Sequence, residues 1–67
     1  MIRLSKEGLE LIKKKYKLKN NVAVARHIDV NYTTLWRAMN DGCGSEFVAK
    51  TLKSCPDLSY EDIFFTV

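Results

Sequence analysis

The sequence predicts an all-α domain, a compact bundle of about five short helices formed by a single unit of 67 residues. Apolar residues recur at helical spacing in several short segments. Most of these segments follow a serine or an asparagine, the side chains that helix N-caps prefer. β-like sequence is confined to Ile63–Val67, at the end of the chain, so strands find little support.

Size and composition exclude several classes of protein. A chain of this length buries roughly 60 % of its unfolded surface, enough for one small core but not for a deep substrate cavity as well. The longest apolar run, Val22–Ala25, has four residues, whereas a membrane span needs about 20. Met1 leads directly into charged sequence, unlike a secretory signal. We therefore expect a cytoplasmic protein with no membrane partner and no small-molecule substrate.

The first two helices are predicted from their caps. Ser5 can cap the first helix, and either Asn20 or Asn21 can cap a second helix over residues 22–28. Asp29 ends that second helix. The apolar face of the first helix is formed by Leu9, Ile12 and Tyr16.

Three further helices are expected. Asn31 caps a third helix from Tyr32 to about Asn40, and a glycine-containing loop over 40–44 follows. Ser45 is predicted to cap a fourth helix over residues 46–54. The inward face of this helix would consist of Phe47, Val48, Leu52 and Cys55. Pro56 stops the fourth helix, and Ser59 with Asp62 has the form of a capping box for a last helical turn.

The two cysteines do not predict a metal or redox site. Cys43 and Cys55 form no CxxC motif, and only His27 could add a nitrogen ligand where a structural zinc needs four ligands. We interpret both thiols as reduced and structural or incidental, and we expect no cofactor. A single histidine with no partnered nucleophile also argues against an enzyme.

Charge is distributed unevenly along the chain. Residues 1–40 hold nine Lys/Arg and three Asp/Glu, a net charge of +6, whereas residues 41–67 have a net charge of −3. A basic portion favours a polyanionic partner, although a solvated lysine face would have the same composition. The Lys13–Lys19 cluster fits diffuse electrostatics better than specific contacts.

The informative segment is 21–40, where two short predicted helices are separated by about three residues. In a helix-turn-helix the first helix needs a small residue where the second packs closest, and Ala25 fits. Asp29 lies at the turn, where the chain often needs a left-handed conformation. The remaining inward positions would be filled by apolar residues: Val24, Ile28, Val30, Leu35 and Ala38.

In this pattern the chain resembles the lambda-repressor/Cro-like family of helix-turn-helix regulators, also called the XRE type. The matching text is NVAVARHIDVNYTTLWRAMN at 21–40, and residues 47–52 and 58–64 resemble the family's fourth helix and fifth-helix ending. Two positions depart from the family: the turn carries Asp29 where glycine is commoner, and Ala38 stands where a larger aliphatic residue is usual.

The resemblance implies that the second helix of the pair is a recognition helix that enters the major groove by its N-terminal part. The positions that would face DNA are Asn31, Tyr32, Thr33, Trp36, Arg37 and Asn40. Arg37 could read guanine, and Asn31 or Asn40 could read adenine. Thr33 could contact a thymine methyl group or a phosphate, and Asn21 matches the family's phosphate-contact position.

Several residues of this segment also have an interpretation that involves no DNA contact. Asn31 could be only a helix cap, and Tyr32 could simply shield the turn. Arg26 and His27 are expected to be solvated surface. Trp36 is unusual on an exposed recognition helix, and tryptophan is enriched at protein–protein hot spots.

Two functions follow. The first is a small Cro-like transcription regulator of a phage or mobile-element switch, binding double-stranded operator DNA as a homodimer. Phe64, Phe65 and Val67 would form the dimer seam or close the core of the monomer. The second is an antirepressor that uses the same face to bind the DNA-binding domain of a cognate repressor.

Overall fold

Five helices and one two-stranded sheet form the chain in a computed structural model that describes residues 1–67. In chain order the elements are β1 (Ile2–Leu4), α1 (Lys6–Tyr16), α2 (Asn21–Ile28), α3 (Tyr32–Asn40), α4 (Ser45–Ser54), α5 (Tyr60–Ile63) and β2 (Phe64–Thr66). The predicted five helices are therefore present. None of them combines the length and apolar character that crossing a membrane requires.

The prediction of an all-α fold is wrong in one respect, because the two ends of the chain pair as an antiparallel sheet. Leu4 lies opposite Phe64, and both side chains are buried in the core. Three-residue strands carry too few positions to show a period of two. Because their pairing joins the two ends of the chain, no local sequence pattern predicts it.

The start of α1 is fixed by Ser5 and Gly8. As predicted, Ser5 caps the helix, and its hydroxyl accepts a 2.8 Å hydrogen bond from the Gly8 N–H. The same hydroxyl donates to the carbonyl of Ile63 at 3.0 Å, and the Ser5 N–H donates to that carbonyl at 2.8 Å. Gly8 is required here, since a Cβ at this position would lie 2.5 Å from the Ile63 backbone.

Helix α4 differs from the prediction at its start and in its buried face. Gly44 occupies the N-cap and Ser45 is the first helical residue, so Ser45 is not the cap. Phe47, Thr51 and Cys55 are the buried positions, while Val48 and Leu52 pack at the edge of the core. Thr51 is fully buried, and its hydroxyl is satisfied there by donating to the Phe47 carbonyl at 2.8 Å.

The capping box before α5 is confirmed. The Ser59 N–H and the Ser59 hydroxyl donate to the Asp62 carboxylate at 3.0 Å and 2.9 Å. These hydrogen bonds favour the ionised carboxylate and hold the pKa of Asp62 below its ordinary value.

The predicted inward positions of the segment 21–40 are confirmed, with Val30 only half-buried. The buried members are Val24, Ala25, Ile28, Leu35 and Ala38. Phe64 completes the core of the monomer, whereas Phe65 and Val67 are exposed, so the three residues predicted together have different environments.

Both cysteines are free thiols. Cys55 lies in the core and Cys43 is half-buried. Burial raises the pKa of each thiol.

Candidate nucleic-acid interface

Helices α2 and α3 pack against each other across a tight turn. Asp29 adopts the left-handed conformation (φ 71°), as the sequence predicted, and ends α2. The Asp29 N–H donates to the Arg26 carbonyl at 3.2 Å, and the Val30 N–H donates to the Ala25 carbonyl at 2.9 Å. This pair of bonds is a Schellman motif, which satisfies the last carbonyls of α2 and fixes the direction of the chain.

Asparagines cap both helices. The Asn20 side chain accepts from the Ala23 N–H at 2.9 Å, so Asn20 rather than Asn21 is the N-cap of α2. The Asn31 side-chain oxygen accepts from the Thr34 N–H and from the Thr34 hydroxyl, both at 2.9 Å. Because the caps and the turn satisfy the backbone locally, the two helices are held in a defined relation.

The solvent side of α3 and its N-cap, which we name the α3 face, contains every residue predicted to face a partner on this helix. All of its members are exposed: Asn31, Tyr32, Thr33, Trp36, Arg37 and Asn40. Tyr32 is 46 % exposed to solvent and Trp36 is 50 % exposed. Spaced four apart, these two lie on one ridge of the helix, and Thr33 with Arg37 forms a second.

The polar side chains of the α3 face differ in whether they already form an ion pair or a hydrogen bond within the protein. Arg37 has no carboxylate partner, since the only ion pair in the structure joins Lys13 to Glu10. The Asn31 oxygen is engaged in capping, and the Asn40 amide donates to the Trp36 carbonyl at 2.9 Å. Bidentate reading of adenine needs both the oxygen and the amide group of an asparagine. Arg37 is therefore better prepared than either asparagine to read a base edge.

Asn21 lies beside the α3 face rather than on it. It lines a surface groove together with Tyr32, Val22, Lys13 and Lys19. The Asn21 side-chain oxygen is buried without a hydrogen-bond partner. The groove opens at the N-terminus of α2, where backbone N–H groups have no partner within the helix and favour an anion.

Two lysines of the Lys13–Lys19 cluster line this groove, which the sequence did not predict. Lys13 and Lys19 flank the start of α2, so they belong with Asn21 and not only with a diffuse field. Their spacing along the chain gave no signal, because α1 and the turn after it bring them together. Lys13 also contacts Glu10 at 3.1 Å.

The other side of the α3 N-terminus has a different charge. A second groove there is lined by Asn31, Thr34, Asp29, Glu46 and Lys50. The Lys50 ammonium donates to the Asp29 backbone carbonyl at 3.3 Å. The groove at the start of α2 contains only positive charges, whereas this second groove contains charges of both signs. A polyanion is therefore more favourably placed on the α2 side of α3.

His27 is not the solvated side chain that the sequence predicted. It is half-buried, its ring packs on Tyr16 with centroids 4.6 Å apart, and its Nε2 donates to the Ser54 carbonyl at 2.8 Å. The Tyr16 hydroxyl donates in turn to Asp57 at 3.3 Å. These contacts join α1, α2 and the end of α4, so His27 has a structural role. Arg26 is exposed, as predicted.

No three His, Cys, Asp or Glu side chains come together in a way that could hold a metal ion. Comparison of the chain with protein-family models, with curated proteins and with solved structures found no match.

Proposed function

We propose that α2, the Asp29 turn and α3 form a helix-turn-helix, and that the chain is a small Cro-like regulator that binds operator DNA through the α3 face. The kinship with the lambda-repressor/Cro-like family is part of this proposal and rests on the residue pattern of 21–40. A phage or mobile-element switch is the expected setting.

The α3 face carries the proposal. Its side chains are exposed on a helix whose opposite side is anchored by Leu35 and Ala38, which are 0 % and 1 % exposed. Arg37 presents an unpaired guanidinium whose geometry matches the O6 and N7 acceptors of guanine. Such a face combines free donors with a rigid support, as direct reading of a base edge requires.

The surroundings of α3 support the same orientation. With the N-terminal part of α3 in the major groove, the start of α2 lies toward the sugar–phosphate backbone. The positive end of α2 there, with Asn21, Lys13 and Lys19, suits a phosphate oxygen. Base reading and phosphate contact thus fall to adjacent parts of one surface.

Titration of duplex DNA from the region upstream of the gene tests the proposal, followed through the fluorescence of Trp36 at two salt concentrations. We expect saturable binding that exceeds binding to unrelated DNA and weakens steeply with salt. Arg37→Ala should weaken specific binding by roughly tenfold to a hundredfold. Lys53→Ala removes a positive charge from α4 and serves as the matched control. Equal effects of the two variants would contradict base reading by Arg37.

A second candidate function is favoured by the two aromatic side chains of the α3 face. Tyr32 and Trp36 are about half exposed on one ridge, and large aromatic anchors of this kind are typical of protein–protein hot spots. In this alternative the chain is an antirepressor whose α3 face binds the DNA-binding domain of the repressor encoded beside it.

The two functions predict opposite results with purified partners. An antirepressor forms a stoichiometric complex with the repressor domain and shows no preference for upstream DNA over unrelated DNA. Trp36→Ala should then abolish the protein complex, while Thr33→Ala on the neighbouring ridge should affect it less. Specific DNA binding without a repressor complex would exclude this candidate.

A further inference from the structure

Tyr32 and Trp36, which we name the aromatic ridge, are two rings that the fold leaves uncovered. Each is about half exposed, and neither belongs to an aromatic pair within the protein. Reading the edges of paired bases relies mainly on hydrogen-bonding side chains. Binding of operator DNA through Arg37 therefore leaves the faces of these two rings without a partner.

The spacing of the two rings suits unpaired bases. Four residues of an α-helix advance about 6 Å, whereas successive phosphates of one duplex strand are about 3.4 Å apart along the axis. Bases in a duplex stack on one another and present only their edges in the grooves. The face of a base is open to an aromatic ring where the strand is single and its bases are unstacked. The aromatic ridge therefore suits successive bases of an extended single strand.

Positive charge lies at both sides of the aromatic ridge. Tyr32 lines a groove with Lys13 and Lys19, and none of the residues that line this groove is acidic. On the other side Arg37 follows Trp36 and has no carboxylate partner. Residues 31–40 contain no acidic side chain. Aromatic rings bordered by cations are the combination that binds a single strand, whose phosphates run alongside its stacked bases.

We propose that the chain also binds single-stranded DNA, with one base stacked on Tyr32 and the next stacked on Trp36. The phosphate on the groove side of Tyr32 is held by Lys19 and Lys13, and a phosphate beyond Trp36 is held by Arg37. This activity goes beyond operator binding, because it uses the faces of unpaired bases and not the edges of paired ones. Strands of this kind are exposed where a duplex is opened for transcription or replication.

The apolar neighbours of the aromatic ridge favour DNA over RNA. Val22 is 45 % exposed and lines the same groove as Tyr32. Met39 is half-buried and lines the groove between α3 and α1. Neither side chain offers a partner to the 2′-hydroxyl of ribose, the group by which a protein distinguishes RNA from DNA. Deoxyribose is therefore the more favourable sugar at this site.

Titration with oligo(dT) of about 12 nucleotides at low salt tests the proposal. We expect saturable binding by the anisotropy of a labelled strand, and an unlabelled strand should quench the fluorescence of Trp36 as a base stacks on the indole. An abasic strand of the same length keeps the phosphates and lacks the bases. It should bind roughly tenfold more weakly or worse and leave Trp36 unquenched. Equal binding of the two strands would mean attraction to phosphates alone and would overturn the proposal.

Two variants of Trp36 separate stacking from simple apolar contact. Trp36→Phe keeps an aromatic face and should retain most of the affinity for oligo(dT). Trp36→Leu keeps apolar bulk without an aromatic face and should bind oligo(dT) roughly fivefold more weakly or worse. Thermal melts followed by circular dichroism verify that both variants fold. Equal affinity of the two variants would overturn the proposal.

Lys19→Ala tests the phosphate contact in the groove. Loss of one contact should lower the slope of log affinity for oligo(dT) against log salt concentration by about 0.7. Lys53→Ala removes the same charge from α4 and should leave the slope unchanged. Equal slopes for the two variants would overturn the placement of the strand along the groove.

The choice of DNA is tested with oligo(dU) and oligo(rU), which differ only in the sugar. We expect oligo(dU) to bind more tightly, and binding of oligo(rU) that is as tight or tighter would overturn the assignment to DNA.

Failure of this proposal is distinguishable from failure of operator binding, because oligo(dT) contains no paired base edge for Arg37 to read. Specific binding of upstream duplex DNA without binding of oligo(dT) would overturn single-strand binding alone. A stoichiometric complex with the repressor domain, again without binding of oligo(dT), would overturn it in favour of a protein partner for the aromatic ridge.

Discussion

The α3 face and the side of the sheet that points away from the core expose aromatic side chains to a similar degree, with Trp36 at 50 % and Phe65 at 45 %. They differ in their polar groups. Beyond its first turn the backbone of α3 is satisfied within the helix, so side chains such as Arg37 supply most of the groups that can recognise a partner. On that face of the sheet the exposed large side chains are apolar: Met1, Phe65 and Val67. The first surface suits a patterned polar partner, whereas the second offers mainly apolar contact.

The largest effect is expected from emptying the core beneath the α3 face. Leu35 is 0 % exposed, and Leu35→Ala should lower the free energy of unfolding by about 2–5 kcal/mol because it leaves a cavity. Thr33→Ala, on the exposed side of the same helix, should change it by less than about 0.5 kcal/mol. Urea denaturation followed by circular dichroism measures both. Equal midpoints would mean that α3 is not anchored through Leu35.

A substitution on α1 should act on the sheet side instead. Gly8→Ala places a Cβ 2.5 Å from the Ile63 backbone, and such overpacking costs about 1–3 kcal/mol. Ser5 and Ile63 would move apart, so the free energy of unfolding should fall, while binding by the α3 face of the folded protein should stay unchanged. Gly44→Ser is the control, because a Cβ there meets nothing within 4 Å and serine is a favourable residue at this N-cap position. A Gly8→Ala protein as stable as wild type would contradict the close contact of α1 and α5.

Asn31 tests whether a residue of the α3 face supports the helix or reads the partner. Asn31→Ala removes the cap and should cost about 1 kcal/mol of stability. Asn31→Ser keeps an N-cap acceptor, so it should restore both stability and DNA affinity, because the Asn31 oxygen is engaged with Thr34. If Asn31→Ser lost as much DNA affinity as Arg37→Ala, the asparagine would be a base contact.

The smallest effect concerns pH. The folded-state pKa of Asp62 is lowered by its hydrogen bonds from Ser59, so the ionised carboxylate stabilises the fold above its ordinary pKa of 3.8. This contribution is lost as pH falls from that value through the lowered one. The stability difference between wild type and Asp62→Asn should shrink over the same range. Urea midpoints at several acidic pH values measure it, with Glu61→Gln as the control. A constant difference would contradict the assignment.

Local signals explain how far the sequence could be interpreted. The helix caps are hydrogen bonds between residues close in sequence, as at Ser5, Asn31 and the Ser59–Asp62 capping box. The left-handed conformation of Asp29 likewise belongs to a turn formed by its sequence neighbours. The exposed positions of α3 follow from the same local periodicity, with Leu35 and Ala38 facing the core.

Features that depend on distant contacts could not be predicted in this way. The sheet joins residues 2–4 to residues 64–66, and His27 is half-buried against Tyr16 and the end of α4. The buried face of α4 is centred on Thr51, which apolar periodicity overlooks because a hydroxyl bonded to its own helix backbone is acceptable in a core.

Backbone amide and indole NMR spectra, recorded while duplex DNA is added at low salt, test the central claim most directly. We predict shifts at Thr33, Arg37 and the Trp36 indole N–H, and at the start of α2, with the resonances of Phe65 and Thr66 unchanged. Shifts confined to the sheet, or an unperturbed α3 in the presence of bound DNA, would contradict DNA binding through the α3 face.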